Sequence, residues 1–354
     1  MIASFVIPVF NVEEEYLRAC MESLLNVTCK DIEFIIVDDG SHGGLGEICD
    51  EYAEKDPRVT VIHKENEGVS IARNTGVKMS KGKYITFIDS DDWIESSRMD
   101  ELLEYIGGSE SDVIAFGQYI NYKNKEPLVV APFDRNMKFS TQEEKKRISA
   151  MVLVRGYDTI KTSHGSGVFC NAVDKFIKKD LFLNAELRFD AGVKIGEDNI
   201  FYLDLYQKCE TIEYRNLLIY HYRMRKSSAC HSNSGKVGYE SIRLFYDKMG
   251  QVLMRNGLFE ELKESLLYRC YDLIFEQFVM SFVSCNMDFK RKYRSFVYEM
   301  KHPPFKDAIK TIDYRYLDGR DRFKAFLLKN GFQGVLFILL YYKRGGKKYE
   351  DAFY

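Results

Sequence analysis

The sequence predicts an α/β protein: a mostly parallel sheet flanked by helices, followed by a helical appendage. Three observations carry this. Short apolar, β-branched runs alternate with helical periodicities from Ser4 to Ile88, at the spacing of βαβ units. Several of those runs end in carboxylates. From about Gly235 onward the pattern changes to helical repeats with long polar interruptions.

The elements follow in order. Ser4-Phe5-Val6-Ile7-Pro8-Val9-Phe10-Asn11 reads as a first strand, with Pro8 marking where pairing ends. Glu13, Glu14 and Glu15 open a helix at its positive dipole end, and Leu17, Met21, Leu24 and Leu25 recur at helical spacing. Glu33 to Ser41 reads as a second strand, Leu45 to Glu54 as a helix, and Val59 to His63 as a third strand. A helix starting in Gly68 to Gly76 stops near Gly82. The buried run Tyr84-Ile85-Thr86-Phe87-Ile88 is the fourth strand. Strand and helix alternate at βαβ spacing, which implies a mostly parallel sheet with right-handed crossovers. Asp112 to Ile120 reads as a further strand, and 121–140 as a polar loop. Ser140-Thr141-Gln142-Glu143 has the outline of a capping box. His164-Gly165-Ser166-Gly167 lacks the spacing of a hydrolase elbow and predicts a flexible bend.

The chain has 354 residues and 45% hydrophobic content, enough for a large core. A net charge of -2 supplies no field to recruit nucleic acid, so none is expected as a partner. The eight cysteines are scattered, without zinc spacing, and read as reduced thiols of a cytoplasmic protein. The first apolar run is broken by Pro8 and has no basic leader, so it does not read as a signal peptide.

Chemistry concentrates where the fourth strand ends. Asp89, Asp91 and Asp92 crowd three carboxylates into four positions, with Ser90 between them. Their mutual repulsion would be relieved by a divalent cation, and oxygen ligands suit Mg²⁺ or Mn²⁺. The alternative is a solvated acidic turn, with Ser90 or Asp92 capping a helix. Parallel strands gather Asn11, Asp38, Asp39, Glu65, Asn66 and these acids along one sheet edge, where open α/β sheets bind ligands. A solvated turn has no reason to recur at successive strand ends. The common dinucleotide fold is excluded, because Pro8-Val9-Phe10-Asn11-Val12-Glu13 holds no glycine.

Four motifs come in order: Val6-Ile7-Pro8-Val9-Phe10-Asn11, Ile36-Val37-Asp38-Asp39-Gly40-Ser41, Asn66 to Gly76, and Phe87-Ile88-Asp89-Ser90-Asp91-Asp92. Together they resemble the family 2 glycosyltransferases of the GT-A (Rossmann-like) fold, of the bacterial cell-surface polysaccharide type. The likeness covers the first third, with further matches to about Ser228. It implies a nucleotide site in which Asp39 reads the uracil N3–H, Asp38 or Ser41 supports the loop, and Pro8 and Phe10 wall the base. Arg73 would reach the base or the phosphates. Asp89 would contact the ribose or the metal, Asp91 the metal, and Asp92 would orient it or touch the sugar, with Ser90 also at the site.

Gly196-Glu197-Asp198-Asn199 by itself is an ordinary helix start. The resemblance makes Asp198 the catalytic base and Glu197 its neighbour. It also assigns Arg225 and Ser227 to the donor diphosphate. His221 reads as a packed histidine rather than a metal ligand, and Lys175 as a surface lysine rather than an acceptor-site residue.

The implied function is transfer from a nucleotide sugar, a UDP-sugar, to a glycan or lipid-linked oligosaccharide, with inversion and with Mn²⁺ or Mg²⁺. The alternatives are a sugar nucleotidyltransferase and an inactive glycan-binding or scaffold protein of the same fold. The expected division is a catalytic domain at 1–230, split into a nucleotide-binding half (1–106) and an acceptor half (107–230), then a helical region at 231–354. The apolar run Val335 to Tyr342 is too short to span a bilayer. With basic flanks, it is a core helix or a peripheral contact with the cytoplasmic membrane face.

Overall fold

The structure, a computed structural model, describes residues 1–153, 167–184, 187–225, 238–278, 287–314 and 319–345, together with Phe282 and Leu317. Two compact units divide the chain. The first comprises Met1–Gly192 and Glu197–Met224; the second comprises Val193–Gly196 and Arg225–Phe353. The expected flexible bend at His164-Gly165-Ser166 lies outside the described residues.

The first unit opens with β1 (Ala3–Val9), α1 (Glu14–Leu25), β2 (Ile32–Asp38), α2 (Leu45–Lys55), β3 (Val59–His63), α3 (Val69–Met79) and β4 (Tyr84–Phe87). Every residue of β1, β2 and β4 is buried. Strands covered on both faces read as unbroken apolar runs for that reason. They pair in parallel in the order β3-β2-β1-β4. The order reverses at β1, and in open α/β sheets the ligand crevice lies beyond the carboxyl ends of the strands at such a switch point.

Pro8 does less than expected as a boundary. Pairing of β1 with β4 stops at Val6, but pairing with β2 runs on to Val9. Gly76 lets α3 lie close on β1, since a side chain there would overlap Val6.

The unit continues with β5 (Trp93–Ile94), α4 (Ser96–Gly107), β6 (Val113–Tyr122), β7 (Lys125–Val130), β8 (Met137–Phe139), α5 (Gln142–Leu153), α6 (Gly167–Cys170), β9 (Lys175–Lys178), α7 (Lys179–Asn184), α8 (Glu197–Lys208) and β10 (Ile212–Arg223). Among the described residues the sheet has ten strands. Its second half is mixed: β9 runs antiparallel to both β4 and β6, while β10 runs parallel to β6. The stretch 121–140, read as loop, contains the short strands β7 and β8. Pairing with β6 and β10 holds them despite their polar sequence. The capping box forms between Thr141 and Glu144: Glu144 N donates to Thr141 Oγ1 (3.3 Å), and Thr141 N donates to Glu144 Oε2 (2.9 Å). Cys20, Cys29, Cys49, Cys170, Cys209 and Cys270 are free thiols.

The second unit packs α9 (Tyr239–Arg255), α10 (Phe259–Glu276), α11 (Phe289–Glu299), α12 (Phe305–Thr311), α13 (Gly319–Lys329) and α14 (Gln333–Gly345). Phe278, Phe282, Phe296 and Phe337 form its aromatic centre. Gly334 brings α14 against the Tyr293 ring, where a larger residue would collide. The tail therefore forms a helix with one packed face, carrying Leu336, Phe337 and Leu340.

Candidate active site

β1 delivers Phe10 to the crevice, and β2 delivers Asp38. A cleft of about 600 Å³ is lined by Phe10, Asp38, Gly40, Ser41, His42, His63, Lys64, Glu65 and Asn66. Phe10 is 48% exposed there, an aromatic face ready for a planar ring. Pro8 is buried within β1 and is not among the lining residues, because its place in the β2 ladder turns it into the fold.

The two acids of β2 are both buried and have different partners. Asp38 accepts from Ser41 N (2.9 Å) and pairs with His63 Nδ1 (2.9 Å) while lining the cleft. Those hydrogen bonds hold its carboxyl below the usual range against the opposing effect of burial. Asp39 is 2% exposed and already occupied: it accepts from Lys64 Nζ (2.6 Å), Glu67 N (3.1 Å) and Gly68 N (2.8 Å). Asp39 therefore clamps the loop into α3, and Asp38 is the acid that faces the cleft. Gly40 permits the turn between them, with φ of 77° and Asn66 N only 2.9 Å from where a Cβ would sit. Ser41 Oγ accepts from Asn11 N (3.3 Å), which ties the β1 and β2 loops.

At the end of β4, the chain turns tightly, with Asp92 N donating to the Asp89 carbonyl (3.0 Å). Asp92 is fully buried. It accepts from Tyr220 Oη (2.6 Å) and Arg223 N (2.7 Å). Burial and the charges of Asp91 and Asp89 push its carboxyl well above the ordinary range. The same Tyr220 hydroxyl accepts from Asp89 N (3.2 Å). Ser90 is buried in the turn. Asp89 remains part exposed and Asp91 half-buried.

Arg73, on α3, joins this turn to α8. Its Nη2 lies 3.0 Å from Asp89 Oδ1 and its Nη1 3.0 Å from Asp198 Oδ1. The guanidinium is only 4% exposed, sits over the Phe189 ring, and keeps a buried Nε without a hydrogen-bond partner. Asn74 fixes Phe189 by a reciprocal pair, Asn74 Nδ2 to Phe189 O (2.9 Å) and Phe189 N to Asn74 Oδ1 (3.0 Å). Dense surroundings raise the Asp198 carboxyl to about 7; Arg73 pulls it down, and Glu197 and Asp89 push it up. Glu197 is half-buried beside it in the first turn of α8.

Arg225 opens the second unit, and Ser227 lies outside the described residues. Lys175 is not a surface lysine: it is fully buried, donating to Asn171 O (2.8 Å), Val173 O (3.0 Å) and Asp174 Oδ1 (2.5 Å) over the Tyr202 ring. His221 is packed as expected, stacked between Trp93 and Tyr119, with burial lowering its basicity.

The sequence reading missed His63, Lys64 and Tyr220. A usable signal existed for His63, because parallel register sets it beside Asp38.

The acids fit only one kind of metal site. Among the described residues, no three His, Cys, Asp or Glu gather into a cage. Asp92 is buried, and Asp91 and Asp89 are the more exposed acids of the turn. One or two carboxylates completed by ligand oxygens suit Mg²⁺ or Mn²⁺.

A doubly wound sheet flanked by helices, with carboxylates gathered at its strand ends and a helical C-terminal part, is the architecture of a GT-A glycosyltransferase. The chain belongs to glycosyl transferase family 2, whose model matches residues 4–175. It is 38% identical to glycosyltransferase GlyA of Streptococcus pneumoniae over 63% of this chain, a match spanning 30% of that protein's length. It is 30% identical to a cholesterol galactosyltransferase of Borreliella burgdorferi over 83% of this chain and 79% of that one. The fold resembles S. aureus TarS 1–349, with a TM-score of 0.62 at 18% identity, covering 99% of this chain and 93% of the other.

Proposed function

We propose that this protein transfers a sugar from a UDP-sugar to a hydroxyl of a glycan or lipid-linked oligosaccharide, with inversion at the anomeric carbon. The observation that carries this is the Arg73 bridge, which sets Asp198 beside the strand-end acids yet on a different element. An inverting transfer needs that separation: charge compensation for the leaving diphosphate and an independent base for the attacking hydroxyl.

In this reading the base ring lies on Phe10 and is read by Asp38, with Asp39 and Lys64 holding the loop. The Asp198 carboxylate takes the acceptor proton as the hydroxyl oxygen bonds to the anomeric carbon. The bond to the diphosphate oxygen breaks, and its electron pair leaves with UDP. Asp91 and Asp89 would hold Mn²⁺ or Mg²⁺, which when bound supplies positive charge to the diphosphate. The family resemblance implies diphosphate contacts for Arg225 and Ser227.

TarS has been solved with UDP and with UDP-GlcNAc, which supports the choice of uridine. The Borreliella relative is named for a sterol acceptor, which supports a lipid-borne one. A lipid-linked acceptor places the enzyme at the cytoplasmic membrane face as a peripheral protein. The test is UDP release from a panel of UDP-sugars with Mn²⁺, with and without lipid-linked oligosaccharide. Release with one sugar, stimulated by acceptor, is expected. If no UDP-sugar is turned over and none raises the melting temperature, the reading fails.

A further inference from the structure

The outward face of the second unit carries a feature that sugar transfer does not use. On α14, Val335, Ile338, Leu339 and Tyr342 are 48%, 42%, 46% and 69% exposed. Their spacing of three and four residues puts them on one helix face, opposite the packed Leu336, Phe337 and Leu340. On α13, Phe323 and Phe326 are exposed at the same spacing, and Phe332 is exposed at the turn between the helices. Water-facing Phe, Ile and Leu grouped in this way mark an interaction surface.

The charges around them are mostly basic, with Lys324 paired to Asp321. From Arg322 to Lys343 the chain contains Arg322, Lys324, Lys329 and Lys343 and no Asp or Glu. Arg322 and Lys329 donate to the backbone carbonyls of Leu317 and Ile312, so these contacts leave their charge without a carboxylate. A protein partner of ordinary composition would not call for such bias, whereas an anionic headgroup layer does. At about 1.5 Å per residue, α14 is roughly 20 Å long, short of the ~30 Å hydrocarbon core. Among the described residues no helix is long and apolar enough to cross a membrane. One apolar face, a packed reverse face and basic flanks suit a helix lying in the plane of the interface.

We propose that the α13–α14 hairpin is a lipid-docking surface, seating Val335, Ile338, Leu339 and Tyr342 among the acyl chains of an anionic bilayer, with Phe323, Phe326 and Phe332 beside them. The wider claim of a membrane-borne acceptor gains a named contact from it, but vesicle binding is read without any sugar transfer. Failure on vesicles therefore leaves the donor chemistry standing, and failure of transfer leaves the docking surface standing.

The full chain would be sedimented with vesicles of phosphatidylcholine alone and of phosphatidylcholine and phosphatidylglycerol in equal parts. Pelleting with the anionic vesicles, weakened by salt, is expected. The double variant Ile338→Ser/Leu339→Ser should weaken it by about tenfold or more, with melting temperature and UDP binding unchanged. Lys343→Glu should weaken it by about fivefold at low salt. Should the double variant fold poorly, Tyr342→Ser alone must still lower vesicle binding. Wild-type protein that stays in the supernatant with anionic vesicles at low salt overturns the proposal. So does a double variant that pellets like wild type, or one that turns a dimer into a monomer without changing vesicle binding. That last result would give the face to a second copy of the chain.

Discussion

Arg73 and Asp198, 125 residues apart in sequence, meet at 3.0 Å, and the same guanidinium reaches Asp89. One planar fork thereby fixes the distance between the strand-end turn and the first turn of α8. Arginine can do this because its two terminal nitrogens point in set directions, whereas an ammonium is a single point.

Removing the base alone should separate binding from chemistry. Asp198→Asn keeps the shape and loses the proton acceptor. Transfer should slow by about 10²–10⁴-fold while calorimetry shows UDP binding preserved. Collapse of donor affinity with normal turnover of bound donor would make Asp198 a binding residue.

The acid limb of the rate should follow the same group. Burial raises Asp198 to about 7, and only its ionised form accepts a proton. The value of kcat/KM should therefore fall about tenfold per pH unit below 7 and level off above it. Initial rates of UDP release between pH 5 and 9 measure this, and a flat profile across that range refutes it.

Replacing the fork by a point charge should disturb both ends. Arg73→Lys cannot hold Asp89 and Asp198 together in the same geometry. Transfer should drop by about 10²-fold, and the acid limb should move above 7, because one shorter ammonium cannot stand 3.0 Å from both Asp89 and Asp198. An unchanged limb would show that Arg73 does not govern Asp198.

The Tyr220 hydroxyl bridges Asp92 Oδ2 and Asp89 N in the interior. Tyr220→Phe removes one donor and one acceptor there. A stability loss of about 1–3 kcal/mol is expected in urea unfolding, with a reduced transfer rate from the loosened turn. Full stability and full activity together would contradict that role.

Lys175 and Asp174 form a closed pair in the core. Burial drives the Asp174 carboxyl up even beside the ammonium. Lys175→Met should destabilise the protein by roughly 3–5 kcal/mol, since it strands a buried acid. The double variant Lys175→Met/Asp174→Asn should recover part of the loss; additive losses would argue against the pairing.

Much of this was legible because local patterns and topology agree. The unbroken apolar runs of β1, β2 and β4 fit strands covered on both faces, and their parallel direction follows from the alternation of strand and helix. The acids at the strand ends were legible for the same reason. Long-range partners were not: no periodicity tells Asp92 that Tyr220 will reach it, or Asp39 that Lys64 will occupy it. Which of two adjacent acids lines the cleft depends on strand-end geometry, which no sequence pattern carries. Lys175 misled because an isolated lysine reads as solvated, and only the folded chain shows three oxygens around it. The strands β7 and β8 were missed because ladder pairing, not their own composition, holds them.

The bridging hydroxyl of Tyr220 sets a timetable for synthesis. A nascent chain released as far as α4 already owns β1 to β4 in order, yet the aspartate turn still awaits a residue more than a hundred positions downstream. Asp198 and β10 emerge late as well. Catalytic competence should thus arrive abruptly near the end of the first unit, and a ribosome-stalled fragment ending before Ile212 should possess a sheet without a working turn.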